Sequence, residues 1–128
     1  MGIGEVLPDG AARATLDDAH GAAWEVVDAG LLSLARDRMA MLLGHRPTVD
    51  ALTEERRASL ADPGRLPEVD QAVLALVEHY LIDVASVPDE LVEPVREHLG
   101  DQGLVDLVNA VLVVEQRMRL ELIWESVL

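Results

Sequence analysis

The residues best suited to chemistry lie in a short turn, Gly44 to Thr48, between two segments with helical spacing. A histidine side chain gains and loses a proton near neutral pH, so His45 can serve as a general acid or base, with Asp50 or the more distant Glu115 orienting its ring. We expect His45 and Thr48 at the exposed start of the second helix. The alternative is a solvated turn histidine without a chemical role.

A second pair, Glu115 and Arg119, lies four residues apart in the last part of the chain. A guanidinium group can hold a carboxylate through two parallel hydrogen bonds, so Arg119 can anchor an acidic substrate. The same spacing places both side chains on one face of a helix, where they would form an ordinary surface ion pair. Both interpretations stay open at this point.

The composition excludes several other chemistries. There is no cysteine, which removes disulfides, thiol catalysis and thiolate metal ligands. No His-x-x-x-His or Glu-x-x-His repeat presents two ligands on one helix face, so we predict no metal. The formal charge of −14 would repel nucleic acids and anionic membranes. Without a signal or membrane-spanning pattern, we expect a cytoplasmic protein.

The elements that would position these residues are helical. Half of the residues are hydrophobic, but phenylalanine is absent, so the core must be aliphatic, which suits helix-on-helix packing. A chain of 128 residues has the length of one domain. We predict a flexible arm over residues 1–13 and a single all-α bundle of about six helices over residues 14–128. The helical periodicity places those helices at residues 15–27, 31–43, 48–57, 69–84, 86–99 and 101–128.

The expected helix ends follow from capping residues. Gly44 and Gly100 offer the left-handed conformation that ends a helix at little cost. Thr15, Thr48 and Ser86 precede acidic residues and predict helix starts, because a side-chain oxygen accepts from free backbone N–H groups and acids favour the positive end of the helix dipole.

The last predicted helix is apolar around most of its circumference. Its first half contains eight large aliphatic residues: Leu104, Val105, Leu107, Val108, Val111, Leu112, Val113 and Val114. One buried face needs fewer. We expect a second copy of the chain to cover the extra face, which predicts a homo-oligomer. The alternative is full burial of this helix within one chain.

On these residues the chain resembles the carboxymuconolactone decarboxylase and alkylhydroperoxidase D-like family. The helix pair of that family reads Arg-x-Ala, a few apolar residues, Gly, then Cys-x-x-Cys and a later His. Arg38-Met39-Ala40 and Gly44 match the first part. His45, Thr48 and Leu52 occupy the positions of the two cysteines and the histidine.

The resemblance continues into the second half of the chain. The run VPDELVEPVREHLGDQGLVDLV is similar to the family's Pro-Asp-Glu segment, amphipathic helix, acidic turn and start of a long closing helix. The family's Asn-x-x-Asn-Arg corresponds to Glu115, Met118 and Arg119, and the glutamate of its thiol relay corresponds to Ser33. The resemblance implies an alkylhydroperoxidase D-like helical fold and a helical oligomer interface. Because the sulfur is missing, it implies no thiol peroxidase or disulfide reductase activity.

The decarboxylase branch of the family implies proton transfer to a carbanion-like intermediate without a metal or organic cofactor. Such chemistry needs a positioned acid and a cation that holds a carboxylate. The chain offers His45, with Asp50 or Glu115 beside it, and Arg119 as the cation. We therefore expect a cofactor-free lyase or isomerase that decarboxylates or isomerises a small carboxylate or lactone.

That site would also need a pocket. We expect Trp24 and Tyr80 to line it and to contact the substrate. The alternative is a non-catalytic homo-oligomeric or partner-binding protein derived from the same family. The apolar residues Leu52 and Met118, at positions that are polar in the family, favour this alternative.

Overall fold

The computed structural model describes residues 11–127, and every regular element in that range is helical. The all-α prediction is confirmed. The described helices are α1 (Ala11–Val26), α2 (Ala29–Leu43), α3 (Arg46–Asp50), α4 (Glu54–Ala61), α5 (Glu68–Ile82) and α6 (Asp89–Val127), with 3-10 turns at Pro63–Arg65 and Val84–Ser86. Within the described range, no helix combines the length and the apolar character needed to span a membrane.

The first helix begins earlier than predicted. Residues 1–10 of the predicted arm lie outside the described residues, and α1 already includes Ala11. Thr15 is therefore inside the helix, and its predicted role as a cap is wrong. The alanines around it are strong helix formers, so the segment does not need a cap at Thr15 in order to start.

Helix α2 is capped at both ends, by Asp28 at its start and by Gly44 at its end. The carboxylate of Asp28 accepts a hydrogen bond from the Leu31 N–H over 3.0 Å. At the other end Gly44 adopts φ 75° and ψ 33°, and the chain turns back there, as predicted. A left-handed residue at this position leads directly into the turn that holds His45.

The single helix predicted over residues 48–57 is in fact two helices. Thr48 lies inside α3, so its predicted role as an N-cap is wrong. The cap is Thr53, whose hydroxyl accepts from the Arg56 N–H over 3.1 Å. Glu54 and Glu55 then occupy the first turn of α4, where the helix dipole favours acids. Thr53 is thus a stronger helix-start signal than Thr48, and the helix is interrupted before it, at Ala51 and Leu52.

The main core lies where α2, α5 and α6 pack together, with α1 placed across α6. Its fully buried side chains are aliphatic and include Leu32, Met39, Val73, Leu107 and Val114. A smaller, separate cluster of Leu34, Leu60 and Leu74 lies beneath α4. The bundle therefore has one large core and a small second one beside the turn that carries His45.

Helix α6 bends sharply at Gly100, where φ is 77° and ψ is 172°. The prediction that one helix ends at Gly100 and a long closing helix follows is confirmed. The predicted start at Ser86 is wrong, because Ser86 lies in a 3-10 turn and α6 begins at Asp89, just after Pro88. Proline removes the backbone N–H and restricts the residue before it, which favours a helix start directly after the Pro88 position.

Candidate functional site

His45 is buried, with only 6% of its surface exposed, so the predicted exposed position is wrong. Residues of α6 cover the ring: its Nε2 lies 3.8 Å from Oε1 of Glu121. On the other side, Nδ1 lies 2.9 Å from the hydroxyl oxygen of Thr48, within hydrogen-bond distance. His45 thus lies between a carboxylate and a hydroxyl group.

The acids expected beside His45 have other partners. Asp50 is exposed and pairs with Arg46 over 3.2 Å. Glu115 is buried and accepts a hydrogen bond from Arg119 over 2.6 Å. Among the described residues, neither acid has a hydrogen bond or ion pair with His45. Glu121 takes that place, and no pattern in the sequence distinguishes it from the other glutamates of α6.

The tautomer of His45 sets the direction of its hydrogen bond with Thr48. A carboxylate beside Nε2 favours a proton on that nitrogen, which leaves Nδ1 to accept a hydrogen bond from Thr48. Nε2 has no hydrogen-bond partner among the described residues, since 3.8 Å to Glu121 is longer than a hydrogen bond. A small movement of the Glu121 side chain would complete a carboxylate–imidazole–hydroxyl relay.

Thr48 opens into a polar pocket of about 470 Å³ between α2, α3 and α4, which we call the α2–α4 pocket. Its polar lining residues are Ser33, Arg36, Asp37, Thr48, Thr53 and Arg56. Trp24 and Tyr80, which were expected to line the pocket of His45, are not among its lining residues. The relay therefore ends at a surface that a small polar molecule can reach.

An ion-pair cluster forms one wall of this pocket. Asp37, which is 3% exposed, accepts from Nε and Nη2 of Arg36 through Oδ1 and pairs with Nε of Arg56 through Oδ2, all at 2.9–3.0 Å. Two guanidinium groups against one carboxylate leave one positive charge. In a chain with a formal charge of −14, this surplus is a local positive region that would attract a small anion.

Asp37, Arg36 and Arg56 were not predicted from the sequence, although the position of Asp37 carried a signal. It lies three residues after Leu34 and three before Ala40, on the buried stripe of α2. An acid on an apolar helix face needs a cation to compensate its burial. Arg36 was adjacent in sequence, but the contribution of Arg56 depends on how α4 folds back.

Trp24 lies behind the pocket and contacts it through Arg36. The guanidinium carbon of Arg36 lies 5.3 Å from the centre of the indole ring, in a cation–π arrangement. The indole Nε1 donates to Nε2 of His20 over 3.4 Å, and the two rings meet edge to face. Burial, helped by the nearby Arg117 and Arg36, lowers the pKa of His20, although Asp17 opposes this shift.

Glu115, Arg119 and Tyr80 form a second cluster. The ion pair between Glu115 and Arg119 is the one that their spacing allowed, and Arg119 remains partly exposed. The phenol of Tyr80 also interacts with the Glu115 carboxylate. Burial, followed by hydrogen bonding to Glu115 and the negative charge of Glu115, raises the pKa of Tyr80 well above its ordinary value of 10.0.

This shift predicts a dependence of stability on alkaline pH. A raised pKa means that the fold favours the neutral phenol, so the contribution of Tyr80 is complete below pH 10.0 and is lost as the pH rises through the folded pKa. Tyr80 is the one tyrosine of the chain, so phenolate absorbance reports on it alone. We expect phenolate to appear only together with loss of helical circular dichroism.

The matched variant is Glu115→Gln, which removes the carboxylate and should bring the ionisation of Tyr80 to lower pH than in the original chain. Tyr80→Phe should remove the loss of stability that accompanies the ionisation of Tyr80 at alkaline pH. Half-ionisation of Tyr80 near pH 10.0 in the folded protein would contradict the arrangement.

In residues 11–127, no group of three His, Asp or Glu side chains is arranged to hold a metal ion. Comparisons with protein-family models, curated proteins and solved structures find no match. Ser33, Thr48 and Leu52, three positions at which the sequence departs from the family pattern, all line the α2–α4 pocket.

Proposed function

We propose that the α2–α4 pocket binds a small carboxylate and that the chain moves a proton on it without a cofactor, in a decarboxylation or an isomerisation. One observation carries this proposal. Thr48, hydrogen-bonded to the buried His45, lines the same pocket as two arginines whose charge exceeds that of Asp37. A proton relay and an anion site thus share one pocket.

The arginines supply binding. Arg36 and Arg56 each use part of their donor set on Asp37, and a guanidinium has five N–H donors in a fixed fork. The remaining donors of both groups can hold a carboxylate, and the surplus of one positive charge matches a single carboxylate. This role, first assigned to Arg119, passes to Arg36 and Arg56 because Arg119 is paired with Glu115.

The relay supplies the proton. With His45 protonated on both nitrogens, Nδ1–H donates to the Thr48 oxygen, and the Thr48 hydroxyl proton passes to a substrate carbanion. With His45 neutral, Nδ1 accepts the Thr48 proton while Thr48 takes one from the substrate. Glu121 balances the charge of the protonated ring. An isomerisation needs both transfers, removal of a proton from the substrate and donation of one to it. A decarboxylation needs only the donation, which protonates the carbanion left when carbon dioxide departs.

The resemblance supports the same pocket. It aligns Ser33, Thr48 and Leu52 with the glutamate, the second cysteine and the histidine of the family's relay, and these three residues surround one cavity. We infer a cysteine-less member of the carboxymuconolactone decarboxylase-like group, with an alkylhydroperoxidase D-like fold. In this chain a hydroxyl and an imidazole replace the thiols, so acid–base chemistry replaces redox chemistry.

The fluorescence of Trp24 can report carboxylate binding. A ligand that draws Arg36 away from the indole ring should change the fluorescence of Trp24, and Trp124→Phe makes Trp24 the sole tryptophan. We expect saturable changes with some members of a panel of small carboxylates and lactone acids. Arg56→Gln should raise Kd about tenfold. Arg65→Gln makes the same charge change at an exposed ion pair outside the pocket and should leave Kd unchanged.

Proton transfer is tested with the same panel in deuterated water. Nuclear magnetic resonance would follow deuterium entry next to the carboxylate, or loss of the carboxylate. Thr48→Val keeps the shape but removes the hydroxyl, so we expect a rate at least about 100-fold lower with Kd nearly unchanged. If no compound of the panel exchanges or loses its carboxylate and none changes the fluorescence of Trp24, the proposed function is excluded.

A second candidate is a homo-oligomeric protein without catalysis. The observation that favours it is the apolar face of α6, where Val105 and Leu112 remain exposed, as the sequence indicated. We propose that a second copy covers this face. Sedimentation velocity should detect the assembly, and Leu112→Glu should yield a monomer of nearly unchanged stability, because surface substitutions cost little. A monomer at all concentrations would exclude this interface.

A further inference from the structure

A second pocket, the α5–α6 pocket, lies between α5, the turn Val84–Ser86 and α6, with a volume of about 250 Å³. Its rim residues Val84 and Val108 are 65% and 41% exposed, whereas Leu107 and Val111 in its walls are buried. The pocket therefore runs from the surface into the main core. It shares no described lining residue with the α2–α4 pocket.

The walls of this pocket are apolar. Of its ten described lining residues, nine are aliphatic and the tenth is Tyr80. The hydroxyl of Tyr80 is the one polar side-chain group among these described lining residues, so a ligand meets almost no hydrogen-bonding partners. A charged molecule would lose its water in the pocket without compensation. The walls thus select a neutral, apolar ligand.

The composition of the lining explains why the space stays open. Six of the ten described lining residues are valine, whose short branched side chain does not reach across a gap. The chain contains no phenylalanine that could fill it. Side chains around such a void lack contact partners on one side, and a ligand of matching shape supplies those contacts.

We propose that the α5–α6 pocket binds a neutral, largely hydrocarbon molecule. Its size follows from the volume: an apolar cavity of about 150 Å³ holds benzene, so this pocket accommodates about ten carbon atoms. A small molecule fits better than a helix of a second copy. A helix laid across Val84 and Val108 would cover the mouth but leave the depth towards Leu107 and Val111 empty.

The probe for this site is n-butylbenzene, a neutral hydrocarbon of the expected size, with binding measured by titration calorimetry. We expect one molecule per chain with a Kd on the order of 100 µM, a value consistent with the efficiency of small apolar ligands. Val111→Phe places a ring in the pocket and should raise Kd by more than about tenfold. Ile123→Phe adds the same ring at an exposed position of α6 outside the pocket and should leave Kd within about twofold.

A second variant keeps the test decisive if Val111→Phe does not fold. Val108→Phe lies at the exposed rim, where a larger side chain is tolerated, and should also weaken binding. The absence of saturable binding would overturn the proposal, as would a Kd that neither variant changes. Sedimentation velocity in the same buffers tests the competing occupant, which is a second copy of the chain. If n-butylbenzene dissociates a dimer, the natural occupant of the pocket is the second copy and the proposal fails.

Discussion

Replacing Asp37 by alanine will lower the free energy of unfolding by about 3 kcal/mol, because it leaves Arg36 and Arg56 together without their shared carboxylate. The carboxylate is buried, which makes its loss costly. Both guanidinium groups remain partly hydrated, which keeps the cost at the lower end for a broken buried pair. Urea unfolding followed by circular dichroism measures the difference.

The control for this prediction is Glu78→Ala. Glu78 pairs with Arg38 over 2.6 Å between α2 and α5, but both side chains are partly exposed. A pair in contact with water contributes little, so we expect a loss below about 1 kcal/mol. If Asp37→Ala costs no more than Glu78→Ala, the cluster does not join α4 to α2 in the way described.

Gly100→Ala should be the most damaging of the exposed glycine substitutions, at about 2 kcal/mol. The backbone of Gly100, at φ 77° and ψ 172°, lies in a region that essentially only glycine adopts, although space is available for a methyl group. The cost therefore comes from backbone strain and not from a steric clash with neighbours. Chemical unfolding of the variant checks it.

Gly21→Ala provides the opposite expectation. Gly21 lies within α1, and an added Cβ would have no atom within 4 Å. Alanine should therefore stabilise the protein by about 0.5–1 kcal/mol, since it restricts the unfolded chain and suits a helix.

If Gly100→Ala leaves stability unchanged, or if it increases the helical signal by straightening α6, the bend is not a fixed feature of the fold.

The helices could be predicted from the sequence because local signals determine them. Apolar residues at helical spacing identified α2, α5 and the closing part of α6, and Gly44 and Gly100 identified two ends. The break between α3 and α4 could not be identified in this way. The segment from Thr48 to Arg57 is compatible with one helix, and the cap at Thr53 together with the burial of His45 decides against it.

The site was less predictable than the fold. His45 and Thr48 were named from the turn, and their contact follows from a spacing of three residues. Glu121 lies 76 positions away from His45, and Arg56 lies 19 away from Asp37, so both partners depend on tertiary packing. The spacing of Glu115 and Arg119 already allowed the ion pair that forms, but it did not indicate that Glu115 would be buried.

The small leucine cluster beneath α4 has a consequence for motion. Helix α4 meets the rest of the bundle chiefly through Leu60 and the pairing of Arg56 with Asp37, and it contributes nothing to the main core. Segments with few buried contacts open at a free energy well below that of global unfolding. Amide hydrogens of α4 should therefore exchange with solvent earlier than those of α5, so the wall of the α2–α4 pocket can detach while the bundle stays folded.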